Sequence, residues 1–236
     1  MKAFLLAGGL GTRLRPLTDS TPKCLLPVQG IPMLQIWLAL CRQYDIDEVL
    51  VNIHAHGNAV RKFIEENKHG IKVRLSEETA LLGSAGTILA NRDWINKERS
   101  FWVFYADVLT TANLNQMLAF HSGRNPIATI GVYEVPDPSR CGIVQVDERG
   151  VVLDFVEKPQ APVGNLAFSG LMLATPALLG AIPHMSPVDL GFHVLPQIVG
   201  RLAAYRIPDF LMDVGTLETY RAAQETWPGL SQSHKP

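Results

Sequence analysis

Three glycines and an arginine follow the first apolar segment of the sequence, within residues 7–13. Glycines in such a loop let the backbone approach a ligand closely and point N–H groups at phosphate oxygens. Arg13 lies inside this glycine loop, and Lys23 follows it in a Thr-Pro-Lys segment. Fixed cations at these positions would stabilise the charge that develops on phosphate oxygens during a transfer reaction. The segment therefore predicts a phosphate-handling site.

Two common phosphate-binding loops do not fit the glycine loop. The dinucleotide-binding fingerprint requires a third glycine where Leu14 stands, and the P-loop requires a Gly-Lys-Ser/Thr ending that the chain lacks. A glycine-rich loop can also be only a tight turn, and Arg13 and Arg15 can be ordinary surface charges. The presence of an arginine among the glycines favours phosphate binding over these alternatives.

A carboxylate, Asp107, follows the strongly apolar segment Phe101–Tyr105, which predicts a buried strand. Open α/β sheets bind their ligands at the carboxyl ends of the strands. A carboxylate there suits Mg²⁺, which commonly bridges a protein oxygen and the phosphates of a nucleotide. The alternative is that Asp107 is only a turn residue at the end of the strand.

Strand and helix patterns alternate through the first half of the chain. The predicted strands are residues 2–7, Glu48–Ile53, residues 71–75 and Phe101–Tyr105. The predicted helices are residues 32–43, 58–67, 86–91 and 113–122. This alternation predicts an α/β fold that is Rossmann-like, with a mixed, mainly parallel central sheet and helices on both faces.

The second half of the chain is richer in strand patterns and predicts a smaller β-rich part. Its predicted strands are residues 127–133, Gly142–Val146, residues 151–156 and residues 168–174. Helical patterns return at residues 191–201 and 216–226, and we expect residues 228–236 to form a flexible tail.

The composition excludes several classes of protein. Hydrophobic residues make up 47% of the 236 residues and charged residues 18%, which predicts a large folded core. The formal charge of −1 argues against a nucleic-acid-binding protein. No apolar segment reaches the length of a signal peptide core or a membrane span, and the three cysteines lack disulfide or zinc spacing. We expect a cytoplasmic protein that binds neither nucleic acid nor membrane.

Two consecutive segments carry a resemblance to a known family. L-A-G-G-L-G-T-R-L-R-P-L-T and then T-P-K-C-L-L-P-V resemble the signature of the sugar-1-phosphate nucleotidyltransferases, also called nucleoside-diphosphate-sugar pyrophosphorylases. The resemblance continues to about Gln224, and no hexapeptide repeat follows, so we expect the short form without a C-terminal β-helix domain. It implies that Arg13 and Lys23 contact triphosphate and pyrophosphate oxygens. The nucleotide contacts that it implies in this region are Leu6, Ala7, Gly8, Gly9, Gly11, Thr12 and Arg13.

The segment Leu-Gly-Ser-Ala-Gly-Thr at residues 82–87 resembles the family's Leu-Gly-Thr-Ala-Gly element, which holds the edge of the nucleobase. By this resemblance Gly83, Ser84 and Gly86 bind the nucleotide. Without it the segment would predict only the start of a helix, with Ser84 as the N-cap residue.

Three later segments resemble the sugar-binding elements of the family. They are Val-Glu-Lys-Pro at residues 156–159, Cys-Gly-Ile-Val at residues 141–144 and Phe-Ser-Gly at residues 168–170. The family's frequent aromatic residue is replaced by Cys141. The resemblance implies that Lys158 reaches the sugar phosphate and Glu157 the sugar hydroxyls. The full predicted sugar-binding set is Gly142, Glu157, Lys158, Ser169 and Gly170.

A second carboxylate, Asp213, lies in Met-Asp-Val-Gly-Thr and resembles the family's second metal-binding aspartate. With Asp107 it would complete a Mg²⁺ site, although Asp before Gly-Thr is also a good turn and helix cap. A pair of histidines, His54 and His56, is an alternative metal site that lacks a third ligand at a suggestive spacing.

The resemblance predicts an enzyme that transfers a nucleoside monophosphate from an NTP to a sugar 1-phosphate and releases pyrophosphate. The attacking phosphate oxygen is already anionic, so no protein base is needed. Catalysis would depend on positioning and charge neutralisation by Arg13, Lys23, Lys158 and the metal at Asp107. We expect one domain over residues 1–227, with residues 1–125 binding the nucleotide and residues 126–227 the sugar, and the family is often homo-oligomeric.

The base and the sugar stay open at this point. Residues 83–86 favour guanylyl transfer to a mannose- or heptose-type sugar, whereas residues 168–170 favour uridylyl transfer. The alternative to guanylyl transfer is uridylyl or thymidylyl transfer to a hexose or amino sugar 1-phosphate. Two alternatives of another class are a non-catalytic sugar-nucleotide sensor, which would lack the charged residues, and a glycosyltransferase, which commonly has an Asp-x-Asp motif.

Overall fold

The computed structural model describes residues 1–230. The strands are β1 (Lys2–Leu6), β2 (Pro27–Val28), β3 (Ile31–Pro32), β4 (Glu48–Ile53), β5 (Lys72–Glu77), β6 (Phe101–Tyr105), β7 (Val108–Thr110), β8 (Ala128–Glu134), β9 (Gly142–Val146), β10 (Val152–Glu157), β11 (Leu166–Ala174), β12 (Leu202–Arg206) and β13 (Leu211–Asp213). The α-helices are α1 (Met33–Gln43), α2 (Gly57–Glu66), α3 (Ser84–Ala90), α4 (Arg92–Ile95), α5 (Leu114–Arg124) and α6 (Leu217–Thr226). Of the predicted tail, residues 231–236 lie outside the described residues.

The predicted elements are confirmed with one exception. β4, β6 and β9 have the predicted bounds, and the other predicted strands and helices shift by at most two residues at either end. The exception is the helix predicted for residues 191–201. The structure has a π-helical turn at Leu190–Val194 and a 3-10 turn at Leu195–Ile198, because Pro196 removes a backbone donor from the middle of the pattern.

The chain divides into two compact units, and the first contains Met1–Leu81, Phe104–Ala112 and the residues from Asp209 onwards. Here β1 lies between β4 and β6, and β5 lies beyond β4; the pairs β1–β4 and β4–β5 are parallel. The interior of β1 is fully buried, which explains its continuous apolar sequence, since a central parallel strand is covered on both faces.

A hydrophobic cluster in this first unit connects distant parts of the chain. Leu14, which follows the glycine loop, is fully buried together with Met33 at the start of α1 and Val214 after β13. Trp227, just after α6, closes the same cluster. The loop that carries Arg13 is thereby anchored in the core through its neighbour Leu14.

The second unit contains Leu82–Val103 and Asn113–Pro208 and is rich in β-structure, as predicted. β9 lies between β10 and β11, and β8 lies between β11 and β12. The β8–β12 pair is parallel, whereas β8–β11 and β9–β10 are antiparallel. The β8–β11 register shifts between Phe168 and Met172, so residues 169–171 form an irregularity in β11.

The predicted α/β class, Rossmann-like with a mixed, mainly parallel central sheet, is confirmed. No helix among residues 1–230 has the length and apolar character needed to cross a membrane. The assignment of nucleotide and sugar binding to residues 1–125 and 126–227 concerns ligands, and it stays a prediction.

Candidate active site

The start of the glycine loop is held by one side chain of the neighbouring strand. Asn52 Oδ1, near the end of β4, accepts hydrogen bonds from Ala7 N (2.7 Å) and Gly8 N (3.2 Å). Within the described residues, the N–H groups of Gly9 and Thr12 further along the loop donate to no protein atom. The loop therefore presents amide groups without protein acceptors, while Asn52 holds its first residues in place. This arrangement suits the binding of phosphate oxygens.

The side chain of Asn52 is itself held in place by Glu78. Its Nδ2 donates to Glu78 Oε1 at 2.9 Å, and both side chains are almost fully buried. A methyl group on Gly8 would lie 2.7 Å from this same Nδ2, so the loop and the Asn52 amide are in close contact. The amide oxygen of Asn52 therefore points towards the loop and its nitrogen towards the carboxylate.

The loop turns at Gly11, whose φ of 62° lies in the left-handed region that favours glycine. Its carbonyl oxygen accepts a hydrogen bond of 2.8 Å from Thr18 Oγ1. A Cβ at this position would lie only 3.3 Å from Lys23 Cβ, so the turn passes directly over the lysine. The glycine loop and Lys23 thus belong to one local structure, as predicted from their spacing.

Lys23 and Asp107 form an ion pair with 2.6 Å between Nζ and Oδ2. The lysine side chain is 11% exposed and the aspartate 32%, so the pair is partly shielded from water. Asp107 follows β6, and its carbonyl oxygen accepts a hydrogen bond of 2.8 Å from Val214 N. The pair therefore lies directly beside the end of β13.

The second carboxylate lies in the same place because β13 pairs with β7 in an antiparallel register, Asp213 opposite Val108. A Cβ at Gly215 would lie 2.7 Å from Asp213 Oδ1 and 3.0 Å from Arg13 Nη2. Both groups therefore border the same small space. The structure brings together the four charged residues that the sequence selected for phosphate and metal chemistry, namely Arg13, Lys23, Asp107 and Asp213.

The donor set of Asp107 and Asp213 fits a hard divalent cation. Carboxylate oxygens are the protein ligands that Mg²⁺ prefers, and Mg²⁺ usually takes one or two of them and completes its shell with phosphates and water. The described residues contain no group of three or more His, Cys, Asp or Glu side chains that could hold a metal ion. The two aspartates would thus supply part of a Mg²⁺ coordination shell, which phosphate oxygens and water would complete.

The two histidines considered as an alternative metal site have other roles. His54 Nδ1 lies 2.8 Å from the carbonyl oxygen of Glu78. His56 is the N-cap residue of α2 and has a left-handed backbone conformation. The first histidine thus supports the turn after β4, and the second begins the following helix.

The segment at residues 82–87, in the second unit, packs tightly against a later part of the chain. Gly83 has a φ of 81°, and any Cβ there would collide with the carbonyl oxygen of Val188. That carbonyl accepts hydrogen bonds of 3.0 Å from Ala85 N and from Gly86 N, and Val188 N donates to Leu82 O at 2.8 Å. Gly83 is required here by a close backbone approach.

Ser84 is the first residue of α3, and Gly83 is the N-cap residue, so the capping role considered for Ser84 is wrong. The serine hydroxyl donates to Asp189 Oδ1 (3.2 Å) and accepts from Leu190 N (2.7 Å). Ser84 N also donates to Asp189 Oδ1 at 3.2 Å. The side chain thus links α3 to residues 189–190.

The predicted sugar-binding residues of β9 and β10 lie together. Glu157 at the end of β10 pairs with Gly142 at the start of β9, and a Cβ on Gly142 would lie 2.7 Å from Glu157 Oε2. Lys158 N donates to Cys141 O at 2.9 Å, and Lys158 Nζ lies 3.7 Å from Glu157 Oε1. Lys158 also has a left-handed φ of 49°, which is uncommon for a residue with a Cβ.

Glu157 lies in a confined setting that changes its acidity. Its side chain is 16% exposed, and Gly191 packs directly against its carboxylate. Burial raises the pKa of Glu157; Lys158 counteracts this, whereas the negative charge of Asp189 adds to it. Perturbed acidic groups of this kind are common at functional sites.

The other two predicted sugar contacts lie in the irregular part of β11. Ser169 is 3% exposed, and its Oγ accepts a hydrogen bond of 3.2 Å from Leu171 N. Gly170 has a φ of 79°. The serine hydroxyl therefore supports the bend of the strand, and its contact with a sugar stays a prediction.

Three polar residues that support the glycine loop and residues 82–87 were not identified from the sequence. Asn52 and Glu78 fix the glycine loop, and Asp189 joins residues 82–84 to residues 188–190. Their partners lie up to 105 residues away in sequence. The one available signal was Asn52 itself, a polar residue in the otherwise apolar interior of β4.

Comparisons with known proteins identify the family of the chain. A family model, nucleotidyl transferase, matches residues 2–228. Mannose-1-phosphate guanylyltransferase 1 of Arabidopsis thaliana is 36% identical over 227 residues, which cover 93% of this chain and 63% of that protein. The catalytic subunit beta of mannose-1-phosphate guanylyltransferase from Dictyostelium discoideum is 33% identical over 242 residues, covering 100% of this chain and 67% of that protein.

The crystal structure of HddC from Yersinia pseudotuberculosis has the same fold. It superposes with a TM-score of 0.81 over 96% of this chain and 99% of that chain, at 23% identity. The chain spans about 63% of the length of the first plant relatives it matches. Because the family model covers nearly the whole chain and both curated relatives exceed 30% identity, the chain belongs to the nucleotidyl transferase family.

Proposed function

We propose that the chain transfers GMP from GTP to mannose 1-phosphate or a similar heptose-type sugar 1-phosphate, and releases pyrophosphate. The observation that carries this proposal is the convergence of Arg13, Lys23, Asp107 and Asp213 beside the glycine loop. The choice of guanine and mannose is supported by the two curated relatives, whose names specify that reaction.

The four charged residues have complementary roles in this proposal. Arg13, the loop amides and Lys23 bind the oxygens of the triphosphate, while Asp107 and Asp213 hold Mg²⁺. The metal, when bound, neutralises charge on the phosphates and orients them. The Lys23–Asp107 ion pair keeps the ammonium group in place beside the metal-binding carboxylate.

The reaction requires no proton transfer to or from the protein. An anionic phosphate oxygen of the sugar 1-phosphate attacks the α-phosphorus of GTP and forms the new P–O bond. The bond between the α-phosphorus and the bridging oxygen breaks, and its electron pair leaves with pyrophosphate. The protein accelerates this step by alignment and by placing cations near the departing oxygens.

In the second unit, we assign recognition of the base to residues 82–87 and recognition of the sugar to Gly142, Glu157 and Lys158. The Lys158 side chain is 56% exposed and suits a phosphate, whereas the Glu157 carboxylate is confined and suits sugar hydroxyls. Ser169 and Gly170 would shape the sugar pocket through the bend in β11.

The setting of the reaction belongs to the same proposal. All three cysteines are free thiols, which agrees with a cytoplasmic location. Assembly into homo-oligomers stays a prediction.

A substrate panel tests the proposal directly. The full chain is incubated with GTP, ATP, UTP or dTTP, each with mannose 1-phosphate or glucose 1-phosphate and Mg²⁺, and released pyrophosphate is measured. We expect turnover with GTP and mannose 1-phosphate that EDTA abolishes. Preference for UTP or dTTP would overturn the base assignment, and nucleotide binding without turnover would favour a sensor.

Two arginines of one loop provide a matched pair of variants. Arg13→Gln removes the guanidinium that borders the Asp213 site and should lower kcat by about 10²- to 10³-fold, as loss of a transition-state donor does. Arg15 is 67% exposed and pairs only with Asp19 at 3.3 Å among its ion pairs in the described structure, so Arg15→Gln should retain wild-type turnover. Equal losses in the two variants would contradict the role of Arg13.

A further inference from the structure

Residues 188–191 contact both groups of substrate-binding residues in the second unit; we call them the bridging segment. At its start, Val188 exchanges three backbone hydrogen bonds with residues 82–86. At its end, Gly191 packs directly against the carboxylate of Glu157. The segment thus lies between the proposed base-binding residues and the proposed sugar-binding carboxylate.

Asp189 is the side chain that fastens this segment to α3. Its Oδ1 accepts two hydrogen bonds of 3.2 Å from Ser84, one from the backbone N–H and one from the hydroxyl. The same hydroxyl accepts a hydrogen bond of 2.7 Å from Leu190 N. Ser84 and residues 189–190 therefore form a closed hydrogen-bonded ring, in which the Asp189 carboxylate is the acceptor.

The local backbone holds Asp189 in its orientation. Its N–H donates to His193 Nδ1 at 2.9 Å, and its carbonyl oxygen accepts from His193 N at 3.0 Å. Asp189 is the N-cap residue of the π-helical turn Leu190–Val194, which carries Gly191. A shift of Asp189 would therefore move Gly191 as well.

The charge of Asp189 carries an electrostatic cost that its hydrogen bonds must offset. Its negative charge contributes to the raised pKa of Glu157, so the two carboxylates repel each other. A neutral acceptor would avoid this repulsion and still accept both bonds from Ser84. Asp189 therefore has two separable properties: its acceptor oxygen holds Ser84 at the start of α3, and its charge raises the pKa of Glu157.

We propose that Asp189 is a positioning residue that holds the base-binding residues 82–87 and the sugar-binding Glu157 in one fixed arrangement through the bridging segment. The proposal rests on the proposed function, because that function assigns the base and the sugar to these residues. It predicts that loss of the acceptor weakens binding of both substrates together.

The test compares Asp189→Ala and Asp189→Asn in the full chain. Asp189→Ala should raise KM for GTP and for mannose 1-phosphate by about tenfold each, the effect of losing one or two hydrogen bonds. Asp189→Asn keeps an acceptor oxygen and should restore both KM values to within about threefold of wild type. Asp147→Ala is the control, since Asp147 also accepts two backbone hydrogen bonds, from Arg149 and Val151, in a turn between β9 and β10.

A double-mutant cycle with Ser84→Ala tests the ring itself. If Ser84 and Asp189 act through one another, the double variant should bind GTP no more weakly than Asp189→Ala alone. GTP affinity is measured by calorimetry, so the result does not depend on turnover. Additive losses would overturn the proposal.

Three outcomes would count against the proposal. A lower melting temperature with both KM values unchanged would show that Asp189 only stabilises the fold. A rise in KM for one substrate alone would show that the two binding regions are independent. If wild type turns over none of the substrate pairs, the proposed function fails, and an unchanged GTP affinity in Asp189→Ala would then remove the positioning role as well.

Discussion

The carboxylate of Glu157 illustrates a conflict between function and stability at a single residue. It is confined by Gly142 and Gly191 and lies near the charge of Asp189. Lys158, at 3.7 Å, compensates only part of this, because the pKa of Glu157 remains raised. A carboxylate kept in such a place costs stability, and the proposed binding of sugar hydroxyls would be a reason to keep it.

The sign of this effect gives a pH-dependent prediction. Because the pKa of Glu157 is higher in the folded chain than its ordinary value of 4.5, its contribution to stability is full below about pH 4.5 and is lost as the pH rises through the folded-state pKa. Glu157→Gln is neutral at every pH and should therefore have a higher melting temperature than wild type at pH 7.5. The difference should shrink as the pH falls towards 4.5, as measured by thermal denaturation.

Glu148→Gln is the control for this comparison, because Glu148 is exposed between β9 and β10. Its melting temperature should follow that of wild type across the same pH range. If Glu157→Gln were less stable than wild type at pH 7.5, the ion pair with Lys158 would outweigh burial, and the explanation would be wrong.

At the scale of elements, the glycine loop depends on the strand beside it. Asn52 in β4 satisfies two N–H groups of the loop and one carboxylate oxygen of Glu78 at once. The bonds to Gly8 N and Glu78 are buried and the bond to Ala7 N is partly buried, so water replaces a lost partner there only at a cost. The loop is therefore preorganised by a residue that need not touch the nucleotide.

Asn52→Ala should lower the free energy of unfolding by about 2–4 kcal/mol, because it removes hydrogen bonds from Gly8 N and Glu78, which are buried, and from Ala7 N, which is partly buried. It should also raise KM for GTP, since the loop amides lose their fixed base. Asn67→Ala is the matched control: Asn67 donates one exposed hydrogen bond of 2.7 Å to Phe63 O, and its loss should cost less than about 0.5 kcal/mol. Similar urea denaturation midpoints for the two variants would contradict the role of Asn52.

The elements also show what sequence alone can predict. Long or strongly apolar strands such as β4 and β6 have the predicted bounds, because burial on both faces leaves a continuous apolar sequence. β7 and β13 have three residues each, too few to show a periodic pattern, although their pairing places Asp213 near Asp107. The sequence motifs identified the charged residues, but the β7–β13 pairing that brings Asp213 near Asp107 could be seen only in the structure.

The same limit applies to Asn52, Glu78 and Asp189. Their side-chain hydrogen bonds connect residues that are 26 to 105 positions apart, and no local pattern encodes such a partner. The segments that carry these three side chains match no functional motif. For Ser84 the motif predicted the helix start, whereas the contact with Asp189 that explains its hydroxyl could not be inferred.

At the scale of the molecule, the first compact unit is assembled from three separate stretches of the chain. Leu14 beside the glycine loop, Val214 beside Asp213 and Trp227 after α6 share one hydrophobic cluster. The glycine loop and the segment that carries Asp213 are therefore held by a common core. A substitution in the C-terminal stretch that disrupts this core should therefore also destabilise the glycine loop.

Trp227→Ala tests this dependence. Trp227 is 5% exposed and contacts Phe210 edge-to-face, with 5.4 Å between the ring centroids, so truncation should lower the free energy of unfolding by about 3–5 kcal/mol. Phe192→Ala removes an aromatic ring that is 53% exposed and should cost less than about 1 kcal/mol. Urea denaturation measures the loss of stability in both variants.

Because the cluster also holds Leu14, hydrogen exchange at residues 12–14 should accelerate in Trp227→Ala and stay unchanged in Phe192→Ala. Unchanged exchange at these residues in the destabilised variant would show that the loop is held independently of the C-terminal stretch.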